Sequence, residues 1–153
     1  MTLSEAKDLP WSEMKEIVKD YYEEWFGSGC GFLIDCKYPL KRGELNKSVF
    51  YLHQATESFY SSILFVFSNY KPKFHDIKKL GSRTANYNSE LLQVFPIATP
   101  EQKECFELVK KAYVDARYDK NYKINKEQLF YLIERAAKLK NITERICLER
   151  INR

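Results

Sequence analysis

His53 and Glu57 stand four residues apart, the spacing that brings two side chains together on one face of a helix. A carboxylate in that position orients an imidazole and keeps it protonated near neutral pH, and Ser61 stands one turn further along. A half-buried structural contact has the same spacing. No nucleophile is identifiable beside the pair, which reads as a binding candidate rather than an active site. The stretch Lys-Pro-Lys-Phe-His-Asp-Ile-Lys-Lys-Leu at 71–80 gathers Lys71, Lys73, His75, Lys78 and Lys79, with Arg83 just beyond. A cationic loop leading into a helix suits phosphate, because free first-turn amides add to the side-chain charge. Tyr70 and Phe74 give the segment aromatic surface on which a base can stack. Solvated lysines between a helix end at Pro72 and a cap at Asp76 account for the same composition.

A third cluster follows Arg117 and Tyr118, where Lys120, Lys123 and Lys126 surround a loop that also carries Tyr122. Arg117 suits a phosphate, and it also suits the negative end of its own helix. The candidate nucleotide- or RNA-binding set is therefore Arg117, Tyr118, Lys120, Tyr122, Lys71, Lys73, His75 and His53. Arg117 is assigned to phosphate, Tyr118 or Tyr122 to the base, and Lys71, Lys73 and Lys120 to the surrounding positive potential. Gly27-Ser-Gly-Cys-Gly31 invites a phosphate-loop reading, but position 32 is Phe, no Lys-Ser or Lys-Thr follows, and no strand precedes it. Small residues permitting a bend or a close helix contact are the better account.

The elements that must position these residues read as helical, since apolar residues recur every three or four positions. Over 44–70, Leu45, Val49, Leu52, Thr56, Phe59, Ile63, Val66 and Tyr70 form one stripe, which predicts a deeply packed central helix. Stripes over 100–118 and 126–151 predict two amphipathic helices. Thr99 with Gln102 and Asn125 with Gln128 mark their starts as capping boxes. Ser12 is the expected cap of a first helix that reaches as far as Tyr38 before Pro39 and Gly43 interrupt it. Asp76 starts a short helix that weakens at Gly81, and 88–95 adds a turn or two. The expectation is an all-α, up-and-down bundle of four to five helices in one domain spanning 1–153, with 1–19 as a helical extension or linker.

Composition limits the rest. The chain has 153 residues, 44% of them hydrophobic, with ten Phe and eleven Tyr, enough for one packed core. Its strongest apolar run, Ile63 to Phe67, cannot span a bilayer, and the first ten residues lack a signal-peptide core. The expected location is cytoplasmic. Cys30, Cys36, Cys105 and Cys147 have no paired spacing and read as reduced core thiols, and two histidines with no His-x-x-x-His pair make a structural metal unexpected. No cofactor is expected. The net charge of +4 is uneven, with the acidic residues in excess up to residue 43 and the basic ones in excess beyond.

Leu-His-Gln-Ala-Thr-Glu at 52–57, Tyr-Lys-Pro-Lys-Phe-His-Asp at 70–76, Ala-Tyr-Val-Asp-Ala-Arg-Tyr at 112–118 and Leu-Ile-Glu-Arg at 132–135 together resemble the HEPN domain family, over about residues 20–148. That resemblance implies an all-helical bundle, often homodimeric, found alone or with a nucleotidyltransferase, associated with nucleotide binding and, in a large subset, RNA cleavage. The family's ribonuclease signature is an Arg followed after four to six residues by a His. From Arg117 those places hold Tyr122, Lys123 and Ile124, so the histidine is missing. A phenol titrates near pH ~10 and is a poor general base in the cell. The expectation is a module that binds nucleotide or RNA without cleaving it. The alternatives are a metal-independent ribonuclease using a distant His, and a dimerisation or docking module for a nucleotidyltransferase whose interface includes the aromatic first helix.

Overall fold

Residues 10–153 are described by a computed structural model, and the part of the expected N-terminal extension that falls on 1–9 lies outside the described residues. Helix α1 (Trp11–Asp35) begins one residue after Pro10, whose carbonyl accepts from the amides of Glu13 and Met14 at 3.0 and 2.9 Å. Ser12 is therefore inside the first turn and makes no cap, contrary to expectation. Proline supplies the helix entry instead, because it has no amide to satisfy and its preset φ leads directly into the turn. Residues 11–19 are part of α1, with Val18 fully buried.

After Cys36 the chain makes a single-turn helix, α2 (Lys37–Lys41), and turns at Gly43, whose φ of +79° is a left-handed conformation suited to glycine. The central helix α3 (Leu45–Ser68) runs back antiparallel to α1: Phe32 meets Tyr51, Phe26 meets Phe59, and Tyr21 meets Phe65. Gly29 makes this approach possible, since a Cβ there would lie 2.6 Å from the Phe59 ring. Helix α7 (Lys126–Ile151) also runs antiparallel to α1, with Arg150 over Trp11 at one end and Lys126 beside Lys37 at the other. The sequence stripes become the core: Leu52, Ile63, Leu129, Leu132 and Leu139 are among its fully buried side chains.

The connection between α3 and α7 carries the site. Asn69, at φ 58°, ends α3. The chain then returns along α3 to Asp76, which caps α4 (Ile77–Thr84) by accepting from the amides of Lys78 and Lys79. Helix α4 continues three residues past Gly81, the position expected to weaken it, because Gly81 packs on Tyr60, where a Cβ would be only 3.1 Å from the ring. A 3₁₀ turn (Ser89–Gln93) follows, fastened to α7 by Arg135, which donates to the carbonyls of Val94 and Gln93. Both expected capping boxes form, at Thr99 with Gln102 and at Asn125 with Gln128.

The helix expected over 100–118 is instead two helices, α5 (Pro100–Lys111) and α6 (Asp115–Tyr118). At the break, the Tyr113 carbonyl accepts from the Arg117 side chain, while the Arg117 amide goes back to Val114. A guanidinium thus takes the acceptor that would otherwise serve the next backbone amide. Among the described residues there is no strand, and no helix is long and apolar enough to cross a membrane.

Candidate functional site

The break between α5 and α6 turns Tyr113 into a hub. Its ring stacks on the His75 imidazole, with centroids 4.0 Å apart and planes 14° from parallel. His53 approaches the same ring at 5.6 Å and Phe50 at 6.2 Å. The Arg117 guanidinium lies 5.1 Å from Tyr113, 4.4 Å from Phe50 and 5.0 Å from Tyr118. Its Nε and Nη2 donate to the Tyr113 carbonyl at 2.9 and 2.6 Å. Arg117 therefore serves a carbonyl just past the end of α5, the helix before its own, and not the end of α6 on which it stands, so the alternative sequence reading holds only in that a helix-end carbonyl is its partner. It remains exposed, and among the described residues no carboxylate lies within 4 Å of it. A cation steered by a carbonyl and aromatic faces keeps its charge for a ligand, where one in an ion pair does not.

The two histidines differ from expectation. Glu57 pairs with Nδ1 of His75, 18 residues away, and not with His53 on its own helix. His53 is fully buried and donates from Nε2 to the His75 carbonyl at 3.1 Å, so its ring supports the 70–76 loop from beneath. Burial drives its pKa down from 6.5 to about 4; the His75 carbonyl and Gln54 oppose that shift, and the charges of His75 and Arg117 reinforce it. The expectation of an imidazole held protonated by Glu57 is overturned for His53, which is neutral at neutral pH. Glu57 is itself pushed upward by burial, with His75 pulling it back. His75 is half exposed.

Arg117 also stands at a cleft of roughly 890 Å³ between the first turn of α3 and residues 116–124, with Lys47 and Lys123 in its walls and Glu44 as its carboxylate. Glu44 is engaged by Arg42 at 3.1 Å. Helix α3 starts without a side-chain cap, so no side chain pairs with its first-turn amides. The cleft therefore combines an open helix start with three cations.

The other candidates separate into two groups. Tyr118 is 75% exposed, and Lys120 is exposed on the loop that follows. Tyr122 lines the cleft but is buried, its hydroxyl donating to the Leu108 carbonyl at 2.5 Å and its pKa raised by that burial, so its ring is not open to a base. Lys71 lies over Trp25 of α1, 4.9 Å from the ring. Lys73 is exposed. Lys79 and Arg83 flank Phe74, which closes that ring to a base. Of the 71–83 stretch, only His75 joins Arg117 at Tyr113.

Sequence reading missed Tyr113, Phe50 and Lys47. The available signal for Tyr113 was its place four residues before Arg117, within side-chain reach of its carbonyl. Among the described residues no three His, Cys, Asp or Glu side chains gather as metal ligands do. No curated protein matches the chain. The family model of the HEPN domain matches residues 22–146, from the middle of α1 into the last turns of α7, and so includes every side chain of the Tyr113 cluster. With that match over most of its length and an all-helical fold, the chain belongs to the HEPN domain family.

Proposed function

We propose that the chain binds a nucleotide or a single-stranded RNA segment at the face around Arg117. One observation carries the reading: an exposed guanidinium, held by a carbonyl and three aromatic rings and paired with no carboxylate among the described residues, at the mouth of a cleft with Lys47 and Lys123. Arg117 would take phosphate through its remaining N–H groups, and Tyr118 would stack on the base. Lys47, Lys123 and the start of α3 would receive a second phosphate, with Lys120 and Lys73 adding potential around them. His53 supports the loop beneath and does not touch ligand. Homodimerisation, a nucleotidyltransferase partner and a cytoplasmic location belong to the proposal as expectations of the family resemblance.

Labelled ATP, GTP and a short single-stranded RNA, titrated at two salt concentrations, test this reading. Binding that weakens with salt and falls in Arg117→Ala and Tyr118→Ala supports it; absence of binding at low salt, or an indifferent Arg117→Ala, removes it.

A second reading, cleavage, is favoured by the contact between His75 and Tyr113. In that reading the imidazole missing after Arg117 would come from the loop that carries His75, 42 residues earlier, since both side chains meet the Tyr113 ring. Glu57 would hold Nδ1, and Nε2 would take the proton of the RNA 2′-hydroxyl as that oxygen attacks the adjacent phosphate. Arg117 would stabilise the charge growing on the phosphoryl oxygens, and the 5′-oxygen would leave with a proton taken from water, giving a 2′,3′-cyclic phosphate and a 5′-hydroxyl. RNA incubated with purified protein in chelator distinguishes the two: cleavage lost in both His75→Ala and Arg117→Ala selects the second reading, and intact RNA selects the first.

A further inference from the structure

A groove of about 380 Å³ between α2 and the start of α7 is floored by Leu40, Phe130 and Ile133 and rimmed by Lys37, Lys41 and Lys126. Phe130 is off the buried stripe of α7 and 59% exposed. Ile34 and Tyr38, each three residues before a rim lysine, Lys37 and Lys41, on the α1–α2 run, are 56% and 55% exposed. Large apolar side chains gathered at one edge of a fold whose core is complete without them mark a contact surface. The rim decides what it contacts. Among the described residues none of its three lysines has a carboxylate within 4 Å, and no acidic side chain lines the groove.

We propose that this groove docks an acidic amphipathic helix of a partner protein, with apolar anchors three and four residues apart seated on Leu40, Phe130 and Ile133 and flanking Asp or Glu side chains answering the lysines. The surface is separate from the phosphate site: none of its lining residues belongs to the Arg117 cleft or to the Tyr113 cluster.

The probe is a fluorescein-labelled 16-residue helical peptide with leucines at three- and four-residue steps and glutamates elsewhere, followed by anisotropy against the full chain; the control carries lysines in place of the glutamates. The acidic peptide is expected to bind, more weakly as salt rises, and the basic one not to. Phe130→Ala and the combined Lys37→Glu, Lys41→Glu, Lys126→Glu variant should each weaken binding at least tenfold while keeping the parent's helical circular dichroism and melting curve. Arg117→Ala should leave peptide affinity unchanged. Equal binding of both peptides, no binding up to ~1 mM, or indifference to the charge reversal overturns the proposal. A dimer seen by light scattering that the charge reversal dissociates also overturns it, because the occupant would then be a second copy of this chain.

Discussion

His53 and His75 are linked by one hydrogen bond and touch one tyrosine ring, yet they occupy opposite electrostatic worlds. His53 is on the central helix, with no exposure, and burial makes its charged form costly. His75 is on the returning loop, half in water, with a carboxylate at its Nδ1. The same residue type thus serves as a neutral strut beneath the site and as a polar group on its surface. Depth decides between the roles, because a charge on the inner ring must be carried without water around it.

The largest effect that would test this contrast is on stability below neutral pH. His53 titrates near 6.5 when unfolded and near 4 when folded, so the unfolded chain binds the extra proton between those values. Its contribution is complete above about pH 6.5 and is lost as pH falls toward 4, on the order of 3 kcal/mol at 1.36 kcal/mol per pKa unit. Glu57, displaced upward, takes up a proton in the folded state and offsets part of that loss. Urea midpoints at pH 7, 6, 5 and 4 should decline for the parent chain and decline less steeply in His53→Gln. A parallel decline in both would mean that another group drives the acid sensitivity and that the inner histidine is not the strut described.

Next in size is Arg117→Ala, which removes the charge above the hub and leaves its buried support. A loss of at least tenfold in affinity for nucleotide or RNA, about 1.4 kcal/mol or more, is expected, with thermal stability within about 1 kcal/mol of the parent. A large fall in stability would sharpen the comparison in the other direction, assigning the guanidinium mainly to closing the break between α5 and α6.

How far this arrangement could be read in the sequence follows from the range of each interaction. The caps at Asp76, Thr99 and Asn125 were legible because each is settled within three residues. The stripes of α3 and α7 were legible because one helical period repeats over many turns. The pairing of Glu57 with His75 was not, since two acceptable partners competed for one carboxylate and the choice depends on a loop folding back along α3. Nor was the break at 112–114, where Ala, Tyr and Val suit a helix and a side chain four residues later diverts a carbonyl. Tyr122 and Tyr118 were equivalent in sequence; the Leu108 carbonyl separates them.

Glu57→Gln tests the outer histidine with a smaller effect. It removes the charge that faces His75 while keeping the side-chain shape. Because His75 is half exposed, the pair is worth no more than about 1 kcal/mol, and stability at pH 7 should change by less than that. If RNA is cleaved, Glu57→Gln should lower the rate and shift its pH profile; a rate loss without a changed profile would make Glu57 a loop tether only.

The smallest effect is expected from Lys71→Ala, which asks whether the 71–83 stretch acts as a unit. Charge counting in the sequence grouped Lys71 with His75, but Lys71 lies over Trp25 on α1, whereas His75 meets Tyr113 at the break between α5 and α6. An exposed cation–π contact is worth about 0.5–1 kcal/mol. Removing it should cost stability of that order or less, and ligand affinity should remain within about twofold at moderate salt, since a charge farther than a Debye length of about 8 Å from phosphate is largely screened. A tenfold affinity loss in Lys71→Ala, matching Arg117→Ala, would instead mean that bound ligand extends along the loop to Trp25, and the site would be a track for several nucleotides rather than a seat for one.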